Sequence, residues 1–451
     1  MEWVEDNDLP LAVKVARGSA FALWSLSKSE RNKAVIKKSG GLPLLAGLVR
    51  MKQTSILIPV IGTLQECATD QSYRQTMQSE CLMEDLVANL RTASPQLKML
   101  CAKAIFRLAE EEESRHLVKV HGGLEPLVEL IKENKDNANR DNKLLMAAVT
   151  GALWKVSSNA ENVDRLEDLG IVPTLIKLLV ENSEALDDLQ FNPTQIDVLT
   201  NVVGALAETA KIQRNRDTIN NEDGLAPLIR LIATNHPALL VNVSAALGQC
   251  AEDKMSLKVI HDLDGVRLLW SLLKNPSVRV QASAAWALSP CIQNASNSGD
   301  MVRGFVGGLE LICGLLESND TEVLAAVCYA IANIAKDKEN LAVISDHGVI
   351  EKLSNLTQTE NDMLRAKLAL AIGNCCEWAG NRALFGKSGA VAPLVSYLQS
   401  SDLNVHITTT LALFQLSKDP WNCVTMHQHG VVTHLLRLIG KFDVSIRVRH
   451  L

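Results

Sequence analysis

Three metal-type ligands fall within seven residues in CVTMHQHG (423–430): Cys423, His427 and His429. A metal site needs three or four ligands that converge on one point. Here they follow a short helix into a turn, so solvent-facing turn histidines are expected. Cys375 and Cys376 are adjacent within an apolar helical pattern and read as packing thiols, not as a redox pair. The GG pairs at 40–41, 122–123 and 307–308 have no GxGxxG or GK[ST] around them and cannot cradle a phosphate in the usual way. The EEEE run at 110–113 follows a helix and is expected to be a solvated turn. No Ser/His/Asp or Cys/His set stands out. The expectation is a chain with no catalytic, cofactor or metal residues, and not an enzyme.

The chemistry that remains is recognition. In SAAWALSPCIQN (283–294), Pro290 lies one helical turn after Trp286. In CYAIANIAKD (328–337), Tyr329 and Asn333 have the same spacing. An aromatic followed one turn later by asparagine is the rung of a ladder that could hold an extended peptide, so the elements that carry such rungs decide the function.

The bulk properties narrow those elements. The chain has 451 residues, 47% hydrophobic and 21% charged, too long for one ordinary compact domain. Aromatics are only 4%, and small and aliphatic residues suit closely stacked helices. A net charge of −6 gives no basic excess to neutralise phosphates, which argues against nucleic acid as a partner. No apolar run reaches the length of a membrane span. The start MEWVEDNDLP lacks the basic and apolar regions of a signal peptide. Ten cysteines without a CxxC pair suggest buried, reduced thiols in a cytosolic protein.

A repeat organises the chain. A turn followed by an apolar helix recurs, with anchors Leu45, Leu86, Leu127, Leu175, Leu228, Leu269, Ile312, Leu353, Leu394 and Leu435. Six of the nine separations equal 41, which chance does not give. Each period holds three helical pieces. In 338–377 they are ENLAVISDH, a second piece IEKLSNLTQ after Gly348, and a longer DMLRAKLALAIGNCCEWA. In the equivalent third helix at 322–335, Val323, Val327, Ala330, Ile331 and Ile334 make one buried stripe, with Asp320 or Thr321 as cap.

A short helix, a glycine turn and two packed helices in about 42 residues resembles the armadillo repeat. The resemblance implies an all-α, right-handed superhelical solenoid. It has about nine complete three-helix repeats over residues 30–417, a partial repeat of one third helix at 1–29, and a truncated repeat at 418–451. Both ends would expose an apolar seam, so the chain is expected to be a fragment or isoform of a longer protein; the alternative is a partner covering the seams. Polar insertions at 132–143 and 180–197 precede two third helices and read as surface loops.

The resemblance also implies that third helices line a concave groove. Armadillo proteins that carry nuclear-import signals use a repeated Trp there to hold lysine stems and an Asn one turn later to bond the peptide backbone. In this chain the Trp place falls on Gly62, Lys103, Gly151, Gly204, Ala245, Trp286, Tyr329, Leu370 and Leu411. The Asn place falls on Glu66, Arg107, Lys155, Glu208, Gln249, Pro290, Asn333, Asn374 and Gln415. Only Tyr329/Asn333 approximates a full rung; Trp24 and Trp154 lie three residues past the Trp place, and Pro290 is expected to kink the end of its helix. An import receptor is therefore not expected. The residues expected to meet a protein partner are Lys103, Arg107, Lys155, Glu208, Gln249, Trp286, Tyr329, Asn333 and Asn374.

A finer resemblance rests on ALLVNVSAALGQCA (238–251), LDGVRLLWSLLKNPSVRVQASAAWALSPCI (263–292), IANIAKDKENLAVISDHGV (331–349) and AVAPLVSYLQSSDLNVH (390–406). These are similar to the armadillo-repeat subunits of outer dynein arm docking complexes. That resemblance implies a scaffold in the cytoplasm and at the ciliary or flagellar axoneme. Its partners would be coiled-coil docking subunits, dynein components and tubulin, without nucleic acid or membrane insertion. The alternative is a cytosolic adaptor for signalling, junctional or ubiquitin-pathway proteins.

Overall fold

The computed structural model describes residues 10–51, 53–133, 140–184 and 193–449. Among them there are helices and turns and no strand. Contacts divide the chain into two compact units, Met1–Pro227 and Leu228–Leu451. Each is an all-α stack of three-helix repeats, as the sequence period requires. The helix Leu11–Leu26 comes first, nine triplets follow, and Pro420–Gln428 with Val431–Arg449 comes last.

The repeat beat is written in backbone conformation. Every turn from first to second helix contains one left-handed residue: Gly40, Cys81, Gly122, Gly170, Asp223, Asp264, Gly307, Gly348, Gly389 and Gly430. Their spacing matches that of the apolar anchors. At Cys81, Asp223 and Asp264 a side chain occupies a conformation that costs it roughly 1–2 kcal/mol, so the turn is imposed by the packing on either side. Nine of the ten anchors are buried, while Leu435 is half-buried. Asp320 caps Thr321–Ile334, its carboxylate accepting from the backbone N–H groups of Glu322 and Val323.

A buried asparagine ladder stitches the triplets together, and it lies on the first helices. Asn162, Asn215, Asn381 and Asn422 each donate from Nδ2 to a carbonyl six residues earlier, at the end of the preceding third helix. Asn162, Asn340 and Asn422 also donate to the preceding first helix, at the carbonyls of Arg115, Gly299 and Arg382. Helix ends leave such carbonyls without an intrahelical donor. Asn162→Leu keeps the bulk but removes two buried hydrogen bonds, to the carbonyls of Val156 and Arg115, and should cost about 1–3 kcal/mol in denaturant unfolding.

Third helix packs on third helix by matching large against small. In the first unit the rings of Trp24, Phe106 and Trp154 lie over Gly62, Gly151 and Gly204 of the next third helix. A Cβ at Gly62 or Gly204 would stand 2.3 or 2.4 Å from the indole. In the second unit the sizes are reversed. Gly248 and Gly373 let the backbone of Ala287 and Ala412 approach, and the bulky groups Trp286 and Tyr329 stand at the Trp place.

Several expectations are corrected. Pro290 does not end its helix, which runs on from Val278 to Asn294. Cys291 and Ile292 beyond it are buried, and their packing holds the last turn although Pro290 supplies no N–H. At the other end, within the truncated repeat expected at 418–451, Val431–Arg449 is one continuous helix. The edges of both insertions are helical, since second helices reach Glu133 and Glu184 and third helices begin at Arg140 and Pro193. Residues 134–139 and 185–192, the middle of those insertions, and 1–9 of the expected partial repeat lie outside the described residues. The glutamate run is not simply solvated: Glu110 pairs with Lys155 at 2.8 Å and Glu111 with Arg74 at 2.9 Å.

Candidate functional site

The nine residues expected to meet a partner divide between the two units. Lys103, Arg107, Lys155 and Glu208 lie on third helices of the first; Gln249, Trp286, Tyr329, Asn333 and Asn374 lie on third helices of the second.

In the first unit the charges are largely answered by the chain itself. Lys155 pairs with Glu110 and lies 5.6 Å from the Phe106 ring centre and 5.3 Å from that of Trp154. Arg107 stacks beside Phe106 at 5.5 Å. Glu208 pairs with Lys211 at 2.5 Å. Burial raises the Asp197 carboxyl, and nearby Lys103 opposes that rise. The charges of Lys155 and Glu208 are therefore partly neutralised, and beside them Phe106 and Trp154 lie on Gly151 and Gly204.

The second unit has a cleft of about 470 Å³. Gln249, Trp286 and Tyr329 line it together with Glu252, Arg279 and Glu322. The two rings face each other at 5.8 Å between centres and an interplanar angle of 47°. Burial, then the Glu252 charge, raises the Tyr329 phenol above its ordinary value. Tyr329 Oη donates to Gln293 Oε1 at 3.5 Å, a long contact.

The expected amides are not part of the open wall. Asn333 is 4% exposed, donates to the Tyr329 carbonyl and accepts from Lys336 Nζ at 2.8 Å. Asn374 donates to the Ala332 carbonyl at 2.7 Å, bridging neighbouring third helices. Neither amide is presented as a free backbone reader.

Lys367 is the residue that sequence reasoning missed. Its ammonium lies 4.0 Å from the Tyr329 ring centre and 5.5 Å from that of Trp286. It is half-buried, and desolvation alone depresses its pKa. A cation over two rings gains from their quadrupoles. The chain thus supplies its own lysine to the aromatic pair. The signal was available: Lys367 lies three residues before Leu370, on the same helical face as the Trp place.

The reactive-looking groups behave as packing residues. Cys375 and Cys376 are buried, and burial pushes the Cys376 thiol up to about 12 and the Cys375 thiol well above its usual value. Burial likewise raises Cys67 to about 11. Thiol alkylation of the native chain at pH 7 should therefore label Cys81 and Cys423, the two exposed cysteines, and reach the other eight only on unfolding. Rapid modification of Cys375 or Cys376 in the native chain would contradict this. Cys423, His427 and His429 are exposed. Among the described residues no three His, Cys, Asp or Glu side chains converge as metal ligands, and no helix is long and apolar enough to cross a membrane.

The chain is 40% identical over 437 residues to the armadillo repeat-containing protein gudu of Drosophila melanogaster, covering 97% of this chain and 63% of that protein. It is 52% identical over 370 residues to outer dynein arm-docking complex subunit 2 of Bos taurus, covering 82% of this chain and 34% of that protein. The Mus musculus subunit 2 is 52% identical over 347 residues, covering 77% and 32%. The chain thus spans less than two thirds of each of these relatives. No protein-family model matches it. A crystal structure of an engineered protein shares its fold, with a TM-score of 0.65 at 22% identity over 90% of this chain and 96% of that one.

Proposed function

Since the chain is an armadillo-repeat protein, similar in sequence to outer dynein arm-docking subunits, we propose that it is a non-catalytic scaffold that helps dock outer dynein arms on the doublet microtubules of cilia or flagella. The observation that carries the reading is the 52% identity to the docking-complex subunits over most of this chain. The partners of this reading are coiled-coil docking subunits, dynein components and tubulin, met in the cytoplasm and at the axoneme.

The physical form agrees. Stacked triplets offer long surfaces whose side chains can vary while the repeat core stays constant. Lys103, Arg107, Lys155 and Glu208 in one unit and Gln249, Trp286 and Tyr329 in the other are the contact residues of this reading. Asn374 acts by bridging neighbouring third helices, and Asn333 by bonding within its own helix and to Lys336. The two rings are the anchors, since aromatic side chains contribute most of the energy at protein interfaces.

The test is proximity labelling with the tagged chain in motile ciliated cells, read with its localisation. Axonemal signal and recovery of docking-complex subunits are expected. Diffuse staining with recovery of junctional, signalling or ubiquitin-pathway proteins would overturn the reading in favour of an adaptor. Trp286→Ala with Tyr329→Ala should reduce that recovery severalfold while helical content and melting stay near wild type, because both rings are only half-buried. Unfolding of the pair variant would reassign the rings to the core.

A further inference from the structure

Among the described residues the first helix of the repeat is shortened at one place, and a cleft opens there. Among the described residues every first helix is nine residues long except that of the seventh triplet, Ser298–Arg303, which has six. The third helix before it, Val278–Asn294, is 17 residues long, where the third helices on either side have 14. Those extra residues at its C-terminal end carry the chain past the point where the turn normally comes. The displaced connection leaves a cleft of about 690 Å³ against the preceding first helix, Lys254–Asp262. This cleft is lined by first-helix residues and not by the third-helix face that holds Trp286.

Its walls are apolar and its edge is basic. Leu257, Met301 and Phe305 form the floor, and Lys254, Lys258 and His261 follow one another along the helix at i, i+4 and i+7. That spacing puts the three on one face over about 10 Å. Lys254 and Lys258 are exposed and have no carboxylate partner among the described residues. The one acid at the cleft, Asp300, is turned to Arg303 and Asn297. Just outside, Met255 and Val306 extend the apolar surface into solvent.

We propose that this cleft is a docking groove for an acidic amphipathic helix. Such a helix would lay leucine-type side chains on Leu257, Met301 and Phe305 and carry glutamates at i, i+4 and i+7 opposite the basic edge. Helix-in-groove binding uses this pattern of apolar anchors, and the matching charges set orientation and register. The inference stands independently of the proposed docking role.

The test uses the full chain and two synthetic helical peptides with identical leucine faces, one flanked by glutamate and the other by lysine. The glutamate peptide should bind saturably, and more weakly as salt rises. Lys254→Glu with Lys258→Glu should weaken binding on the order of tenfold or more without changing the melting temperature, because both side chains are in solvent. Met301→Glu should weaken it comparably while leaving Trp286 and Tyr329 untouched. Absence of saturable binding, equal binding of the lysine peptide, or affinity unmoved by the charge reversal overturns the proposal. So does capture of anionic phospholipid vesicles in preference to the peptide.

Discussion

Leu353→Ala should lower stability by roughly 2–5 kcal/mol, read from the denaturant midpoint. Leu353 lies on Val349–Asn355, is fully buried, and occupies the anchor position of the eighth triplet. Truncation removes its transfer energy and leaves a cavity that closely packed helices cannot close. In a repeat stack the loss falls on one triplet and its two interfaces, so hydrogen exchange should rise first in 338–375. Leu435→Ala, at the half-buried anchor, should cost distinctly less. A Leu353→Ala loss below about 1 kcal/mol would place the residue outside the core.

Gly204→Leu should destabilise the first unit by about 2 kcal/mol or more, although replacing a helical glycine normally stabilises by up to about 1 kcal/mol. The reason is steric. The new Cβ would meet Cε2, Cδ2 and Nε1 of Trp154 at 2.4–2.6 Å. These atoms are at the centre of the ring system, so the whole indole must swing away. Trp154→Ala in the same chain should restore part of the loss, with a coupling of about 1–3 kcal/mol in a double-mutant cycle. Gly47, which has nothing within 4 Å of its Cβ position, provides the control: Gly47→Ala should stabilise. A destabilising Gly204→Leu that Trp154→Ala fails to relieve would show that the indole is not the obstacle.

Much was legible in the sequence because the repeat is a rule about distance along the chain. One apolar anchor and one turn residue per period fix the triplet, and every triplet must bury the same face of its neighbour. That is why the anchors from Leu45 to Leu394 are buried and why each turn is left-handed even where it carries Cys81, Asp223 or Asp264. The asparagine ladder was legible too, since Asn340, Asn381 and Asn422 lie 41 residues apart. It was passed over because asparagine was sought on the third helices.

The chemistry of the candidate site was not legible to the same degree. Period and helical phase place Trp286, Tyr329, Asn333 and Asn374 on their elements, but they do not say which partners each side chain takes. Those depend on contacts between triplets: Lys367 reaching back over the two rings, Asn374 bonding Ala332, and Glu110 answering Lys155. By itself the sequence determined an all-helical stack of triplets, because hydrophobic period and turn chemistry act within one repeat. Only the tertiary structure decided which third-helix positions are open, because a residue's exposure depends on the size of whatever the neighbouring helix sets against it.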